Sequence, residues 1–240
     1  MSGHSKWSTI KHQKSAKDAK RGQLFSKLAK EITVAVREGD SPDIESNPKL
    51  RLVVEKARAG NMPKENIQRA IERGSGHGEG TQLESVIFEG FGPGGSAVIV
   101  ACVTDNKNRT AQEIKTFFDR HGGRMTSLGS VSYLFDKKGL IEVAKVGNEE
   151  EQMLSLIDCG AEDIANENGK LLVYTPPEKL HQVVAAVRSG GFNIIEAELT
   201  YKPKAEKVIE DKPQREKIVN FLAELDELED VQGIFLDVKL

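Results

Sequence analysis

Cysteine is scarce: 240 residues carry two, Cys102 and Cys159, far apart and each in an apolar neighbourhood. That excludes a disulfide-stapled secreted scaffold, and the expected state is buried free thiols in a reducing, cytoplasmic compartment. No run of about 18 apolar residues occurs, so no membrane-spanning helix is expected. The opening Met-Ser-Gly-His-Ser-Lys-Trp lacks the apolar stretch of a secretory signal. The five histidines (His4, His12, His77, His121, His181) show no metal-ligand spacing and no nearby cysteine, so no metal is expected. There is no nucleophile elbow, P-loop or EF-hand loop, so no catalytic residue is assigned and the chain reads as a non-enzyme. A gathering of Asp105, Asn106, Arg109 and His121 around a deep cleft would reverse that reading. Gly90-Phe-Gly-Pro-Gly-Gly95 formally contains the dinucleotide string G-x-G-x-x-G, but it runs into a β-type stretch, Ser96 to Cys102. A pyrophosphate needs a helix N-terminus there, so no cofactor is expected.

Charge is balanced in sum and segregated in place. The formal net charge is −3. Residues 1–30 hold eight Lys and Arg against Asp18 alone, a net of +7. Residues 31–75 hold eight of each sign, and the remainder is net −10. Attraction to nucleic acid follows local cation density through counterion release, so the segregation points to a polyanion partner despite a pI near 6.

The hydrophobic pattern divides the chain. Leu24, Phe25, Leu28, Ala29, Ile32, Ala35 and Val36 form one stripe at helical spacing from Gly22 onward. A polar stretch, Gly39 to Asn47, ends that helix. Pro48 opens a second with Leu50, Val53, Val54 and Ala57, and a third runs from Pro63 to Gly74. Gly74 to Gly80 reads as a flexible linker. Beyond it the period turns toward two. Strands are expected near 86–91, 97–104, 130–135, 140–143, 162–165, 170–174, 193–201 and 233–238, with helices at 109–121, 149–159, 177–189 and 214–228. Asn108 is a candidate cap for the first of these helices. The order within 139–202 is β-α-β-β-α-β. The flanking segments each lack what the other supplies. The fold class is therefore α+β: an N-terminal three-helix domain (1–78) and two α+β (ferredoxin-like) domains, with 136–204 inserted into 79–135 plus 205–240.

The sharpest functional signal is the stretch Lys11, Lys14, Lys17, Lys20 and Arg21. Lysines at every third residue wind around a helix and leave no apolar stripe for a membrane, so the segment is expected as a mobile arm that orders on a polyanion. The expected phosphate contacts are Lys6, Lys11, Lys14, Lys17, Lys20, Arg21, Lys27 and Lys30. Trp7, the sole tryptophan, can stack on a base or pack on the helices. The acidic run Glu224 to Asp230 reads as the solvent face of an amphipathic helix. No unexplained apolar patch calls for a second copy, so a monomer is expected.

A set of motifs now stands out: Gly3-His-Ser-Lys-Trp7, Ile10-Lys-His12, Asp18-Ala-Lys-Arg-Gly22, Phe25-Ser-Lys27, Ser46-Asn-Pro48, Leu50-Arg51, Asn61-Met-Pro-Lys64, Asn66-Ile67, Arg69-Ala-Ile71, Glu89-Gly-Phe-Gly-Pro-Gly-Gly95, Asp105-Asn106, Asn108-Arg-Thr110 and Gly129-Ser-Val131. The chain resembles the YebC family along its whole length, most densely over 1–135. That family holds bacterial probable transcriptional regulators and the mitochondrial translational activator of cytochrome c oxidase. The resemblance implies a helical domain followed by two α+β domains, and no enzymatic activity. It implies a DNA-binding transcriptional regulator or, alternatively, a ribosome-associated translation factor that binds ribosomal RNA. The sequence shows no helix-turn-helix signature.

Overall fold

The structure, a computed structural model, describes residues 17–76 and 82–239, with side chains from Arg21 onward in the first helix. Residues up to Phe135 and from Pro203 onward form one compact unit, and Asp136–Lys202 forms the other. Residues 77–80 of the expected linker lie outside the described residues.

The apolar stripe builds α1 (Lys17–Glu38), which begins five residues ahead of the expected Gly22. Lys17, Lys20 and Arg21 therefore stand on helical backbone and not on an arm. Lys, Ala and Arg are good helix formers, and extending a packed helix carries no new nucleation cost. Two further helices follow, α2 (Pro48–Ala59) and α3 (Lys64–Gly74). Leu28, Ile32, Ala35 and Val36 of α1 pack against Leu50, Val54 and Ala57 of α2 and Ile67, Ala70 and Ile71 of α3. The α1–α2 connection turns on one buried side chain. Asn47 Oδ1 accepts from Leu50 N (3.0 Å), capping α2, while its Nδ2 donates to Ala35 O and Ser41 O (both 2.9 Å). At Gly74 a Cβ would lie 2.7 Å from Val36 Cβ, so the α1–α3 crossing needs glycine there.

The same unit holds a four-stranded sheet ordered β3-β1-β2-β9, from β1 (Glu84–Phe91), β2 (Ala97–Thr104), β3 (Arg124–Thr126) and β9 (Val231–Leu236). β1 and β2 pair antiparallel from Glu84↔Thr104 to Phe91↔Ala97, so the glycine-rich string is a strand-to-strand turn. Two helices, α4 (Lys107–Arg120) and α7 (Lys212–Asp226), share a core with the sheet. Ile114, Phe117, Phe118, Ile218, Phe221 and Leu222 meet Val98, Val100 and Cys102 there. A short parallel pair, β8 (Lys207–Val208) with β10 (Val238–Lys239), completes the unit. The second unit runs β4 (Phe135–Ala144), α5 (Glu149–Asp158), β5 (Asp163–Glu167), β6 (Lys170–Thr175), α6 (Leu180–Ser189) and β7 (Ile194–Pro203), its first and last strands each crossing its borders by one residue. Its sheet order, β5-β6-β4-β7, is that of a ferredoxin-like sheet.

Two local expectations are corrected. The helix cap is Asn106, whose Oδ1 accepts from Arg109 N at 3.1 Å, and not Asn108. The strand expected over 130–135 is a loop with a 3-10 turn at Ser132–Leu134. Glu89, 2% exposed on β1, takes the N–H groups of Gly129 (2.9 Å), Val131 (2.7 Å) and Ser132 (3.0 Å), leaving them unavailable to a strand ladder. Burial by itself would raise the pKa of this carboxyl, but the hydrogen bonds from Val131, Gly129 and Ser132 outweigh it and leave it lowered. A lowered folded-state pKa means the contribution is full above the ordinary carboxylate range, about pH 4.3, and is lost as the pH falls through the lowered value. Glu89→Gln is expected to reduce unfolding free energy by about 2 kcal/mol at pH 7, read as an earlier urea midpoint, and to flatten the acid limb of stability against pH.

Candidate nucleic-acid interface

The expected nucleic-acid-binding residues separate into three groups. Lys6, Trp7, Lys11 and Lys14 lie outside the described residues. Positions 17, 20 and 21 fall within about 100° of arc at the start of α1. Lys17 and Arg21 continue the line of Leu24 and Leu28, the stripe that packs on α2 and α3. Arg21 is exposed, so the packed part of that line has ended by this turn. The Arg21 guanidinium lies 5.4 Å from the centre of the Phe25 ring, which holds it at the surface.

Lys27 and Lys30 belong to a different face and serve a different purpose, which corrects their place in the expected set. Lys27 is 6% exposed, and its Nζ donates to Asp226 O at 2.5 Å and lies 3.5 Å from Asp226 Oδ1. Lys30 Nζ donates to Glu229 Oε1 (2.8 Å) and Asp230 Oδ1 (2.9 Å). Gln23 joins them by donating to Glu227 O at 2.7 Å. Positions 23, 27 and 30 are i, i+4 and i+7, one face of α1, set against the turn between α7 and β9. Charge counting alone could not reveal this, because the carboxylates lie about 200 residues away in sequence.

Asp230 is the centre of that contact. It is 3% exposed, and besides Lys30 it accepts from Thr110 Oγ1 (2.7 Å) and Arg109 Nη2 (3.0 Å), both on α4. Arg109 also holds Asp105 Oδ1 at 2.7 Å. Burial by itself would push the Asp230 carboxyl up, but Lys30, Thr110 and Arg109 hold it down at about 2. Burial lowers the Lys30 ammonium, yet Glu229 and Asp230 leave it raised. Arg109 is thus tied to two carboxylates. His121 stands at the other end of α4, about 18 Å along the axis, with Nδ1 against Phe117 O (2.7 Å) and Nε2 against Glu224 Oε2 (2.8 Å). Of the four residues whose gathering would have marked an enzyme, Asp105, Asn106 and Arg109 adjoin one another, and His121 stands apart from them. Among the described residues no cluster of His, Cys, Asp and Glu could hold a metal, and no helix is long and apolar enough to cross a membrane.

The architecture defines an α+β protein of two compact units, in the larger of which the helical segment is latched to the sheet by buried ion pairs. The chain belongs to the TACO1/YebC family. The family's N-terminal domain matches residues 5–77, and its second and third domains match 83–238. A Thermotoga petrophila protein described as a probable transcriptional regulatory protein is 47% identical over 242 residues, covering 100% of this chain and 94% of its own length. One of the same description from Aquifex aeolicus is 46% identical over 241 residues, covering 100% and 96%. The crystal structure of a conserved hypothetical protein from Aquifex aeolicus superposes with a TM-score of 0.86 at 46% identity, covering 94% of this chain and 93% of that one.

The latch carries a pH signature. Because the folded-state pKa of Asp230 lies below its unfolded value, its contribution is whole above about pH 4 and disappears as the pH falls toward 2. In urea titrations, Asp230→Asn is expected to be less stable than the parent at pH 6 and to lose about 2 kcal/mol less than the parent between pH 5 and pH 2. Parallel curves for parent and variant would remove Asp230 from this role.

Proposed function

We propose that the chain is a non-enzymatic, cytoplasmic regulator of gene expression that binds nucleic acid, as a DNA-binding transcriptional regulator, through its basic N-terminal segment. One observation carries the reading. Once Lys27 and Lys30 are assigned to internal ion pairs, six cations remain ahead of Gln23 (Lys6, Lys11, Lys14, Lys17, Lys20 and Arg21) against Asp18 alone. The helical positions of the last three put them on one face, where a phosphate backbone can meet several at once. The relatives' description as probable transcriptional regulatory proteins supports the regulatory part of the reading. A monomer acting without cofactor or membrane is part of the proposal.

A second reading, a translation factor that binds ribosomal RNA, draws support from α3. Its outer face carries Glu65 and Glu72 between Lys64, Arg69 and Arg73, so it offers a duplex major groove no clean cationic recognition surface.

If about five of the six cations pair with phosphates of duplex DNA, log affinity falls against log salt with a slope of roughly −4 to −5. The triple variant K17E/K20E/R21E is expected to bind at least about a hundred-fold more weakly at 100 mM salt, with unchanged circular dichroism and a shallower slope. Gel-shift titration with promoter DNA, beside co-sedimentation with ribosomes, separates the two readings. Unchanged binding of the triple variant to both would retire the phosphate contact.

A further inference from the structure

The larger unit contains a loop fixed more firmly than a connection needs. Gly129, Val131 and Ser132 donate their N–H groups to the buried Glu89 carboxylate, and the Val131 side chain is itself fully buried. A buried carboxylate is strongly destabilising unless matched, so its use here marks a stretch whose backbone position matters. On either side of the clasped residues stand Leu128, 76% exposed, and Tyr133, 64% exposed. Arg124, on the neighbouring edge strand β3, is also exposed. Between Arg120 and Phe135 the chain has two arginines, one histidine and no carboxylate, within a region that is otherwise net acidic.

We propose that this loop is a second nucleic-acid contact, in which an unpaired base stacks on the Tyr133 ring and Arg124 meets a neighbouring phosphate. The inference rests on the nucleic-acid reading above and narrows it to strands with unstacked bases, because a base inside a duplex has no free face to offer. A ring on a clasped loop loses little freedom when a base covers it, and Glu89 acts as a positioning residue. Two side chains present far less apolar surface than the roughly 800 Å² per partner of a stable protein interface, which favours a base over a protein. The loop stands apart from the Lys30–Asp230 latch. α1 meets the sheet where Asp230 and Thr110 lie, beside Thr104, the partner of Glu84, and β1 then runs five residues, about 17 Å, to Glu89. Tyr133 can therefore be altered without touching the bonds that orient α1.

The test is a fluorescence titration of the full chain with a single-stranded RNA oligonucleotide carrying 2-aminopurine, the same sequence as single-stranded DNA, and the matching DNA duplex. The full chain is expected to quench the probe in at least one single strand, and the backbone that quenches more identifies the source. Tyr133→Ala is expected to weaken single-strand binding about ten-fold and abolish the quench, while leaving duplex affinity and the salt slope unchanged. Tyr133→Phe should behave as the parent. Equal single-strand affinity and quench for Tyr133→Ala overturns the loop contact while the phosphate reading stands. A full chain that binds none of the three probes overturns both.

Discussion

A single buried carboxylate organises the larger unit. Asp230, at the entry to β9, gathers Lys30 from α1 and Arg109 and Thr110 from α4, tying the helix of one apolar core to the helix and strand of another. A charge this far from water is tolerable only with its donors in place, and removing one partner leaves the others uncompensated. Ionic and backbone-directed bonds therefore help to hold the helical segment against the sheet. Lys27, reaching a main-chain carbonyl as well as a carboxylate, adds direction that a surface ion pair lacks.

Glu89 applies the same chemistry to a different task. Asp230 draws side-chain cations across elements; Glu89 draws backbone N–H groups from one loop. In both cases a β-strand or its end supplies the anion, and the surrounding donors set a pKa below the ordinary range. The consequence is a pair of fixed points, one orienting α1 and one orienting the stretch from Leu128 to Tyr133. Neither is an apolar packing feature, so neither leaves a mark in hydrophobic periodicity.

That difference explains what could be read from the sequence. The helices from Pro48 to Ala57 and Pro63 to Gly74 were legible because spacing, proline entry and glycine exit all point to the same ends; from Leu24 to Val36 the spacing marks the packed face but not the start at Lys17. β1, β2, β6 and α7 were legible for similar reasons. β3 was not, since three residues after Gly122-Gly123 carry no period. The strand expected over 130–135 followed a real alternation, Val131, Tyr133, Phe135, that a carboxylate forty residues away overrides. Likewise the cationic count over 1–30 was correct as a sum, and it misplaced Lys27 and Lys30 because their partners lie at the far end of the chain. Sequence shows where charge is; only the fold shows which charges are already answered.

The answered charges also shape the field that remains. From Lys17 to Lys30 α1 rises about 20 Å, roughly twice the Debye length at 0.1 M salt. The acidic turn from Glu224 to Asp230 lines the face of Gln23, Lys27 and Lys30, and Glu227 reaches Gln23, only two residues past Arg21. Under the proposed contact, a phosphate backbone would meet the cations ahead of Gln23 and be repelled by Glu227 and Glu229 once it slid past them. Attraction at the front of the helix and repulsion beginning about one turn later would give the contact a boundary as well as an affinity.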